Sequence, residues 1–369
     1  MLEYLFITFL VIVCIQSVYY LLIFGSFSFS KSKKTEINFN KDVSVVICAK
    51  NEAKNLKKNL PYFLNQEYSN FEIILINDCS TDDTLRVMEQ FKLTSSIPIK
   101  IVNVAPNEQF WGSKKYALTL GIKAASYEFL LFSDADCKPI SRQWIQEMTN
   151  LYIKPTQLVL GYGSYSKVKG SILNKLIRFE TLLTAIQYFS YAKIGLPYMG
   201  VGRNLSYTKS LFFKNNGFVN HMNIKSGDDD LFINDVATKN NCAICFSENS
   251  FTESAPKTTF SSWIQQKRRH ISTSNFYKLK HKLLLGLFYL SQLLFWFLSI
   301  ILVLFYPKFT FVIGLILIRF IIIYFSIGFS AKKLNEKDLV LFAPFFELFL
   351  ILIQMFIFIK NLISKPKHW

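Results

Sequence analysis

Four long apolar segments at the two ends of the chain limit its possible folds more than any other feature. They span residues 4–29, 283–306, 309–331 and 339–359. A helix needs about 20 apolar residues to cross the hydrocarbon core of a bilayer, so each segment is long enough. The chain starts Met-Leu-Glu without a basic region, which predicts an uncleaved anchor rather than a signal peptide. This pattern argues against an ordinary soluble enzyme.

Two of the apolar segments each contain one charged residue, Arg319 in the third and Glu347 in the fourth. Charge near the middle of a span is costly and normally faces a partner or a polar path. Two interpretations follow from this. One is an ion pair between neighbouring helices, and the other is contact with a polar substrate that passes between helices.

The charged residues outside the apolar segments predict an orientation. Lys31, Lys33 and Lys34 follow the first segment, and by the positive-inside rule they place the middle domain in the cytosol. The basic tail, residues 361–369, does not fit four full spans, so the number of spans stays open. The net charge of +17, from 42 Lys and Arg against 25 Asp and Glu, is explained better by anionic membrane lipids than by nucleic acid.

The middle of the chain alternates predicted strands with predicted helices. The strands are Val43–Ala49, Glu72–Asn77, Ile99–Val104 and Phe129–Ser133, and the helices are Glu52–Gln66, Thr81–Lys92 and Ser113–Ser126. Such alternation predicts an α/β, doubly wound, Rossmann-like sheet. A further helix, Ser171–Lys193, has an apolar face that favours the core of this domain over contact with the bilayer. Ligands of such sheets bind beyond the carboxyl ends of the strands.

Polar side chains follow three of the four predicted strands. Asn51 and Glu52 follow the first, Asp78 the second, and Asp134 and Asp136 the fourth. Two carboxylates around one small residue can hold Mg²⁺ or Mn²⁺ against a diphosphate. Short polar residues here also cap helices, and Ser80 or Thr81 is expected to cap the second helix. The chain has no glycine-rich phosphate loop, which argues against dinucleotide oxidoreductases and P-loop ATPases.

Two charged clusters lie further along the chain. Asp228, Asp229 and Asp230 open a helical pattern, and their mutual repulsion predicts a raised pKa or a cationic partner for at least one. Acids favoured by the dipole of a helix N-terminus are the alternative. The second cluster, residues 263–270, is basic and aromatic and belongs to an amphipathic stretch expected to lie on the membrane surface.

In combination and order, these motifs resemble the membrane-embedded branch of the family 2 glycosyltransferases. That branch has a GT-A fold and includes hyaluronan, chitin and cellulose synthases and ceramide glucosyltransferases. The resemblance covers roughly Val43 to Ser274. The matching segments are Cys48 to Glu52, Asp78 in D-x-S-x-D-x-T, Lys114 in G-K-x-x-A-L with one residue added after Gly112, Asp134 and Asp136 in D-x-D, Gly202 to Tyr207 in G-x-N-x-x-[YF], Gly227 to Asp229 in [GT]-[ED]-D, and Gln266 to His270 in Q-x-x-R-W.

The resemblance implies a role for each matching residue. The implied roles are nucleoside binding by Ala49, Asn51, Glu52 and Asp78, binding of Mg²⁺ or Mn²⁺ by Asp136 with Asp134 beside it, acceptor binding by Gly202 and Asn204, proton transfer by Asp229 as base beside Asp228, and contact with the diphosphate leaving group by Lys114, Gln266, Arg269 and His270. His270 stands where processive synthases have tryptophan, which argues against processivity. The pair Gln265 and Arg268 fits the same spacing.

The expected architecture is a GT-A nucleotide-sugar-binding domain with flanking transmembrane helices. Its predicted parts are an anchor at 1–30, a cytosolic glycosyltransferase domain at 31–259, a basic interface helix at 260–282, about three C-terminal transmembrane helices at 283–360 and a basic tail at 361–369. The implied function is inverting transfer of a sugar from a nucleotide sugar, expected to be UDP-linked, to a lipid-linked or saccharide acceptor at a bacterial cell membrane. A processive, extruding polysaccharide synthase and an inactive membrane binding or export protein are the alternatives. The sequence specifies no oligomeric state.

Overall fold

The computed structural model describes residues 1–31, 41–105 and 114–364. These residues divide into two compact units. The first unit contains residues 1–31, 170–196 and 259–364, and the second contains 41–105, 114–169 and 197–258. Gly112, Ser113 and most of the basic tail lie outside the described residues. The domain boundaries expected from the sequence remain predictions.

The second unit is a mixed α/β domain. Its strands are β1 (Val43–Ala49), β2 (Phe71–Asp78), β3 (Ile99–Val104), β4 (Phe129–Asp134), β5 (Cys137–Pro139), β6 (Leu158–Leu160), β7 (Gly163–Tyr165), β8 (Leu205–Thr208), β9 (Cys242–Ile244) and β10 (Thr252–Ser254). The helices of the two units together are α1 (Leu2–Val18), α2 (Gly25–Ser28), α3 (Ala53–Leu64), α4 (Thr84–Thr94), α5 (Lys114–Ala124), α6 (Trp144–Thr149), α7 (Ile172–Lys193), α8 (Lys209–Lys214), α9 (Asp230–Val236), α10 (Phe260–Thr273), α11 (Leu279–Phe305), α12 (Phe309–Lys333) and α13 (Ala343–Ile363).

Seven of the described strands form one sheet in the order β3-β2-β1-β4-β8-β6-β9, and β5, β10 and β7 form a second. The first four strands are parallel to one another, and β8 runs antiparallel to β4. Every residue of β2 and all but one of β1 are buried, which explains their continuous apolar sequences. The α/β fold predicted from alternating strands and helices is confirmed.

One local expectation in this domain is wrong. Helix α4 begins at Thr84, and Asp83 stands at its N-cap without a side-chain hydrogen bond to the helix. Ser80 and Thr81 do not cap it, because both bind Asn51: the amide of Asn51 donates to Ser80 Oγ (3.0 Å), and the amide of Thr81 donates to Asn51 Oδ1 (2.8 Å). These contacts join the loops after β1 and β2.

The first unit holds the apolar segments. Among the described residues, four helices are long and apolar enough to cross a membrane: Leu2–Ser28, Leu279–Phe305, Phe309–Lys333 and Lys337–Ile363. The first of them continues from α1 through a π-helical turn at Tyr19–Ile23 into α2. Apolar residues of α1, α11 and α12 share one core, built around Phe9, Phe295 and Leu302.

A buried polar network joins these four helices. Arg319 donates two hydrogen bonds to the Glu347 carboxylate (2.9 and 2.6 Å), so the predicted ion pair is present. Arg319 also donates to Gln16 Oε1 (3.0 Å). Gln292 and Tyr20 donate to Glu347 Oε1 at 2.6 and 3.0 Å. We call these five residues the span network, and all of them are at most 5% exposed.

Helix α7 packs with the first unit rather than in the core of the second, contrary to the favoured sequence interpretation. Its Arg178 is buried and pairs with Glu336 and Asp338, which lie between α12 and α13. Glu180 of the same helix pairs with Lys267 of α10. A face lined with apolar residues does not identify its partner. These ion pairs, with the aromatic contacts Phe27–Phe189 and Phe179–Phe346, connect α7 to the first unit.

Candidate active site

The carboxyl ends of the parallel strands lie side by side in the second unit. Cys48 of β1 is in register with Asp134 of β4, and Ala49 of β1 with Asn77 of β2. Ala49 is buried, and Asp78 is a buried carboxylate at the last position of β2. The structure therefore brings polar side chains from separate strands to one edge of the sheet.

A pocket opens at this edge, and its wall includes acids from distant parts of the chain. Lys114 Nζ lies 2.9 Å from Asp134 Oδ1 and 3.0 Å from Asp228 Oδ2. Asp229 and Gly202 line the same pocket. We call Lys114, Asp134, Asp228 and Asp229 the strand-end cluster. Lys114 thus forms a bridge between Asp134 of the D-x-D motif and the downstream acid Asp228.

The charges of this cluster shift one another's pKa values. Burial disfavours the charged form of Lys114, but Asp134 and Asp228 hold its pKa well above the usual range. Burial likewise opposes ionisation of Asp228, yet the adjacent Lys114 ammonium keeps the pKa of that carboxyl below its ordinary value. Lys114 and Asp228 are thus a charged pair at neutral pH.

Asp229 behaves differently from its neighbour. Burial, followed by repulsion from Asp228 and Asp230, raises its pKa to about 7. Its Oδ2 accepts a hydrogen bond from the amide of Gly202 (2.7 Å) and its Oδ1 from the amide of Asp230 (2.8 Å), so it also caps α9. A carboxylate whose pKa lies near 7 can exchange a proton with a substrate at neutral pH.

The D-x-D motif offers a place for a cation. Asp134, Asp136 and Cys137 have ligand atoms within 4.8 Å of one another. Burial and repulsion from Asp134 raise the pKa of Asp136, so a cation would relieve this pair. The buried Cys137 thiol has a pKa well above its ordinary value and stays protonated. Two carboxylates without a thiolate fit a hard divalent ion such as Mg²⁺ or Mn²⁺.

The loop after β1 completes the same edge. Asn51 adopts a positive φ of 57°, a left-handed conformation that asparagine tolerates. Glu52 accepts a hydrogen bond from Asn55 (2.5 Å), and burial raises its pKa, with added repulsion from Asp136 and Asp134. The predicted nucleoside residue Glu52 therefore lies within electrostatic reach of the D-x-D motif.

The predicted acceptor residues divide into two kinds. Gly202 lines the pocket and donates its amide to Asp229. Asn204 is 0% exposed, and its amide group is engaged by Trp144 (3.1 Å), Tyr162 (2.8 Å) and Ser250 (2.8 Å). The Asn204 side chain is thus hydrogen-bonded inside the domain, and its role at the acceptor remains a prediction.

Gln266, Arg269 and His270 lie on α10, which belongs to the first unit. Their action on a leaving group remains a prediction. The alternative register through Arg268 is disfavoured, because this guanidinium is buried against α13. It donates to Asn361 Oδ1 (2.8 Å) and to the carbonyl of Ser364 (2.6 Å).

Sequence reasoning missed the role of Arg203. Its guanidinium lies 4.3 Å from the centre of the Tyr165 ring, above Gly163, where an added Cβ would stand 2.3 Å from Arg203 Nε. Its charge partly offsets the rise in the pKa of Asp136. No pattern in the sequence joins Arg203 to Gly163 and Tyr165, since the contact is made between β7 and the short turn of residues 202–204 before β8.

Comparison with known proteins supports the motif-based resemblance. Residues 44–210 match the model of glycosyl transferase family 2. An uncharacterised glycosyltransferase of Haemophilus influenzae is 33% identical over 34% of this chain and 37% of its own length. A poly-β-1,6-N-acetyl-D-glucosamine synthase of Staphylococcus epidermidis is 34% identical over 33% of this chain and 28% of its own length. The matches thus span about a third of these relatives.

A solved structure extends the comparison of folds. A mannosyltransferase from Pyrobaculum calidifontis, in complex with GDP-mannose and Mn²⁺, superimposes with a TM-score of 0.59 at 16% identity. The superposition covers 94% of this chain and 99% of that one. Together with the family match, this likeness confirms the expected fold of the GT-A type and the resemblance to family 2 glycosyltransferases.

Proposed function

We propose that this chain, whose residues 44–210 match the model of glycosyl transferase family 2, is an inverting glycosyltransferase of a bacterial cell membrane. Its donor is a nucleotide-diphosphate sugar, expected to be UDP-linked, and its acceptor is a hydroxyl of a membrane-associated lipid or saccharide. One observation carries the proposal: Asp229, with a pKa of about 7, shares a pocket with the Asp134–Lys114–Asp228 charges.

The donor binds at the strand ends in this proposal. Asn51, Glu52 and Asp78 contact the nucleoside, while Lys114 presents a positive charge to the diphosphate. Asp136 and Asp134 would hold Mg²⁺ or Mn²⁺, which neutralises phosphate charge and improves the leaving group when bound. In support, these carboxylates approach one another and the pKa of Asp136 is raised.

The chemical step is a single in-line displacement. Asp229 accepts the proton of the acceptor hydroxyl as its oxygen forms a bond to the anomeric carbon. The bond from that carbon to the diphosphate breaks, and its electron pair leaves with the diphosphate. Attack opposite the leaving group inverts the anomeric carbon. The amide of Gly202 holds the carboxylate through one oxygen (2.7 Å) and so orients it.

The membrane helices support an amphiphilic acceptor. Four candidate spans and the basic helix α10 would keep the catalytic domain at the cytosolic membrane surface. A processive polysaccharide synthase is the second candidate, favoured by the similarity to the poly-N-acetylglucosamine synthase. The span network disfavours it, because its polar groups bind one another in the centre of the span helices.

The decisive experiment compares D229N and D136N with wild type in membranes or nanodiscs. UDP-N-acetylglucosamine, UDP-glucose and GDP-mannose are supplied with Mn²⁺, and transfer to the lipid fraction and hydrolysis are measured. A positioned base typically contributes 10²–10⁴-fold to the rate, so we expect D229N to lose about that factor. D136N should lose metal-dependent turnover.

The matched control is D83N, which removes an exposed carboxylate at the start of α4. It should retain wild-type turnover. Near-wild-type transfer by D229N would eliminate the proposed base, and wild-type turnover in excess EDTA would eliminate the metal. A single glycolipid product supports one-step transfer, whereas a ladder of products supports the processive candidate.

A further inference from the structure

Lys115 is a buried lysine that the proposed chemistry does not use. It follows Lys114 on α5 and is only 1% exposed. Lysine is almost never fully buried without partners that satisfy its charge. Successive helical residues point about 100° apart, so the two lysines face different neighbours: Lys114 the pocket acids, and Lys115 the backbone of another segment.

That segment is the loop of residues 219–227, which leads into Asp228 and Asp229. Lys115 Nζ donates to the carbonyls of His221 (2.7 Å) and Ile224 (3.0 Å). At the far end of the loop, Gly227 has a φ of +90°, and an added Cβ there would stand 2.5 Å from the Leu231 side chain. Two carbonyls of the loop therefore accept hydrogen bonds from one buried ammonium.

The ammonium of Lys115 also acts through its charge. Its positive charge interacts with Asp228, Asp229, Asp230 and Asp235 without pairing directly with them. Asp228 already pairs with Lys114. Lys115 therefore offsets part of the negative charge of the adjacent acids while its hydrogen bonds remain on the loop backbone.

We propose that Lys115 is a positioning residue: it anchors the 219–227 loop so that Asp229 keeps its contact with Gly202, and its charge favours the ionised carboxylate. This inference rests on the proposed function for its catalytic consequence. The anchoring itself concerns the loop and can be tested without substrate.

The surrounding groups set the direction of the expected effect. Asp228, Asp230, Lys114 and Tyr207 are the other groups that interact with Asp229. Burial lowers the pKa of Lys115 to about 8, so it is mainly charged at pH 7. His221 adds no positive charge there, because burial and then Lys115 lower its pKa to about 4. Loss of the Lys115 charge should raise the pKa of Asp229 further.

The first test is hydrogen exchange on the full chain in detergent, comparing K115M, K115R and wild type. Peptides covering residues 219–229 should exchange about tenfold faster in K115M, because the loop loses its anchor. K115R should restore most of the protection. The matched control, K123M, removes an exposed lysine of the same helix and should exchange like wild type. Unchanged exchange in K115M would overturn the anchoring.

The second test is the pH dependence of kcat/KM with the donor that wild type uses. The acid limb should move by about half a pH unit or more to higher pH in K115M, and stay in place in K115R and K123M. An unmoved limb in K115M would overturn the electrostatic part. If K115M does not fold, K115Q replaces it in both the exchange and the pH experiments. This variant keeps N–H donors but lacks the charge. Absence of turnover in wild type would count against the proposed function alone, since the exchange test still decides the anchoring.

Discussion

The molecule buries charged side chains in two places, and the two places differ in their balance of positive and negative charge. The span network pairs one guanidinium with one carboxylate, and neutral amide and hydroxyl groups supply further hydrogen bonds. The strand-end cluster sets three carboxylates against one ammonium. Balanced charge in the first place stabilises an assembly of helices. Unbalanced charge in the second leaves Asp229 with a raised pKa.

This contrast separates a paired buried charge from an acid whose neighbours oppose its ionisation. In a balanced buried pair each charge stabilises the ionised form of its partner, so neither group readily exchanges a proton near neutral pH. Nearby like charges instead oppose the ionisation of a buried acid and raise its pKa. Strongly shifted carboxylates of this kind cluster at functional sites, which supports the base proposed at Asp229.

The largest effect on stability is expected from Glu347→Ala. This change leaves Arg319 buried among apolar helices without its counter-charge, and breaking such a pair typically costs about 3–5 kcal/mol. We expect a strongly lowered midpoint of unfolding in detergent, measured by the thermal or denaturant transition of purified protein. The matched control is the double variant R319L/E347L, which removes both charges together.

The double variant should unfold near the wild-type midpoint, because no unpaired charge remains. If it is as unstable as E347A, the network contributes through its hydrogen bonds to Gln16, Tyr20 and Gln292 rather than through charge balance. Wild-type stability of E347A itself would contradict the structural role assigned to the pair.

The opposite effect on stability is expected from Asp229→Asn. The pKa of Asp229 is raised from an ordinary 3.8 to about 7 in the folded chain. Its contribution to stability is therefore most favourable below pH 4 and is lost as the pH rises through 7. Asparagine can still accept the Gly202 hydrogen bond without the buried charge. D229N should raise the free energy of unfolding at pH 8 by an amount on the order of a few kcal/mol, and by less at pH 5. The gain would be seen as a higher unfolding midpoint.

This result would sharpen the comparison, because a variant that loses turnover while gaining stability marks a functional charge. Equal midpoints for D229N and wild type at pH 8 would show that Asp229 is not strained. The D83N variant, whose carboxylate is exposed, serves as the control and should follow the wild-type midpoint at both pH values.

The smallest effect is expected from Asp230→Asn. Asp230 is the weaker of the two acidic neighbours that raise the pKa of Asp229. Removing its charge should move the acid limb of kcat/KM to lower pH by less than about one unit. The direction is opposite to that expected for K115M. A shift to higher pH in D230N would contradict the electrostatic description of the cluster.

The sequence predicted the features that depend on local pattern. Buried apolar runs defined β1, β2 and β4, and the acids after them were placed together because parallel strands end at one edge. Adjacent carboxylates at 228–230 predicted a raised pKa or a cationic partner for at least one of them, and the structure has a raised pKa at Asp229 and a cationic partner at Asp228.

The features that the sequence did not predict depend on which distant residues each side chain contacts in the folded chain. Asn204 matches a motif for acceptor contact, yet its amide is fully engaged inside the domain. Ser80 and Thr81 have the chemistry of helix caps but bind the neighbouring loop. Lys115 occupies an unspecified position of the G-K-x-x-A-L segment, so the motif assigns it no role. Its partners are backbone carbonyls of a segment about a hundred residues away, as the contact Lys115–His221 shows.

The span network also has a consequence for biogenesis. Gln16 leaves the ribosome long before Arg319 and Glu347, although all three belong to one hydrogen-bonded group. Until α11 and α12 have been translated, the Gln16 side chain lacks its partners Ser291 and Arg319. Likewise, a chain that stops between α12 and α13 would leave Arg319 without its counter-charge, which is costly in an apolar setting. The last helix is therefore the one that completes the buried ion pair.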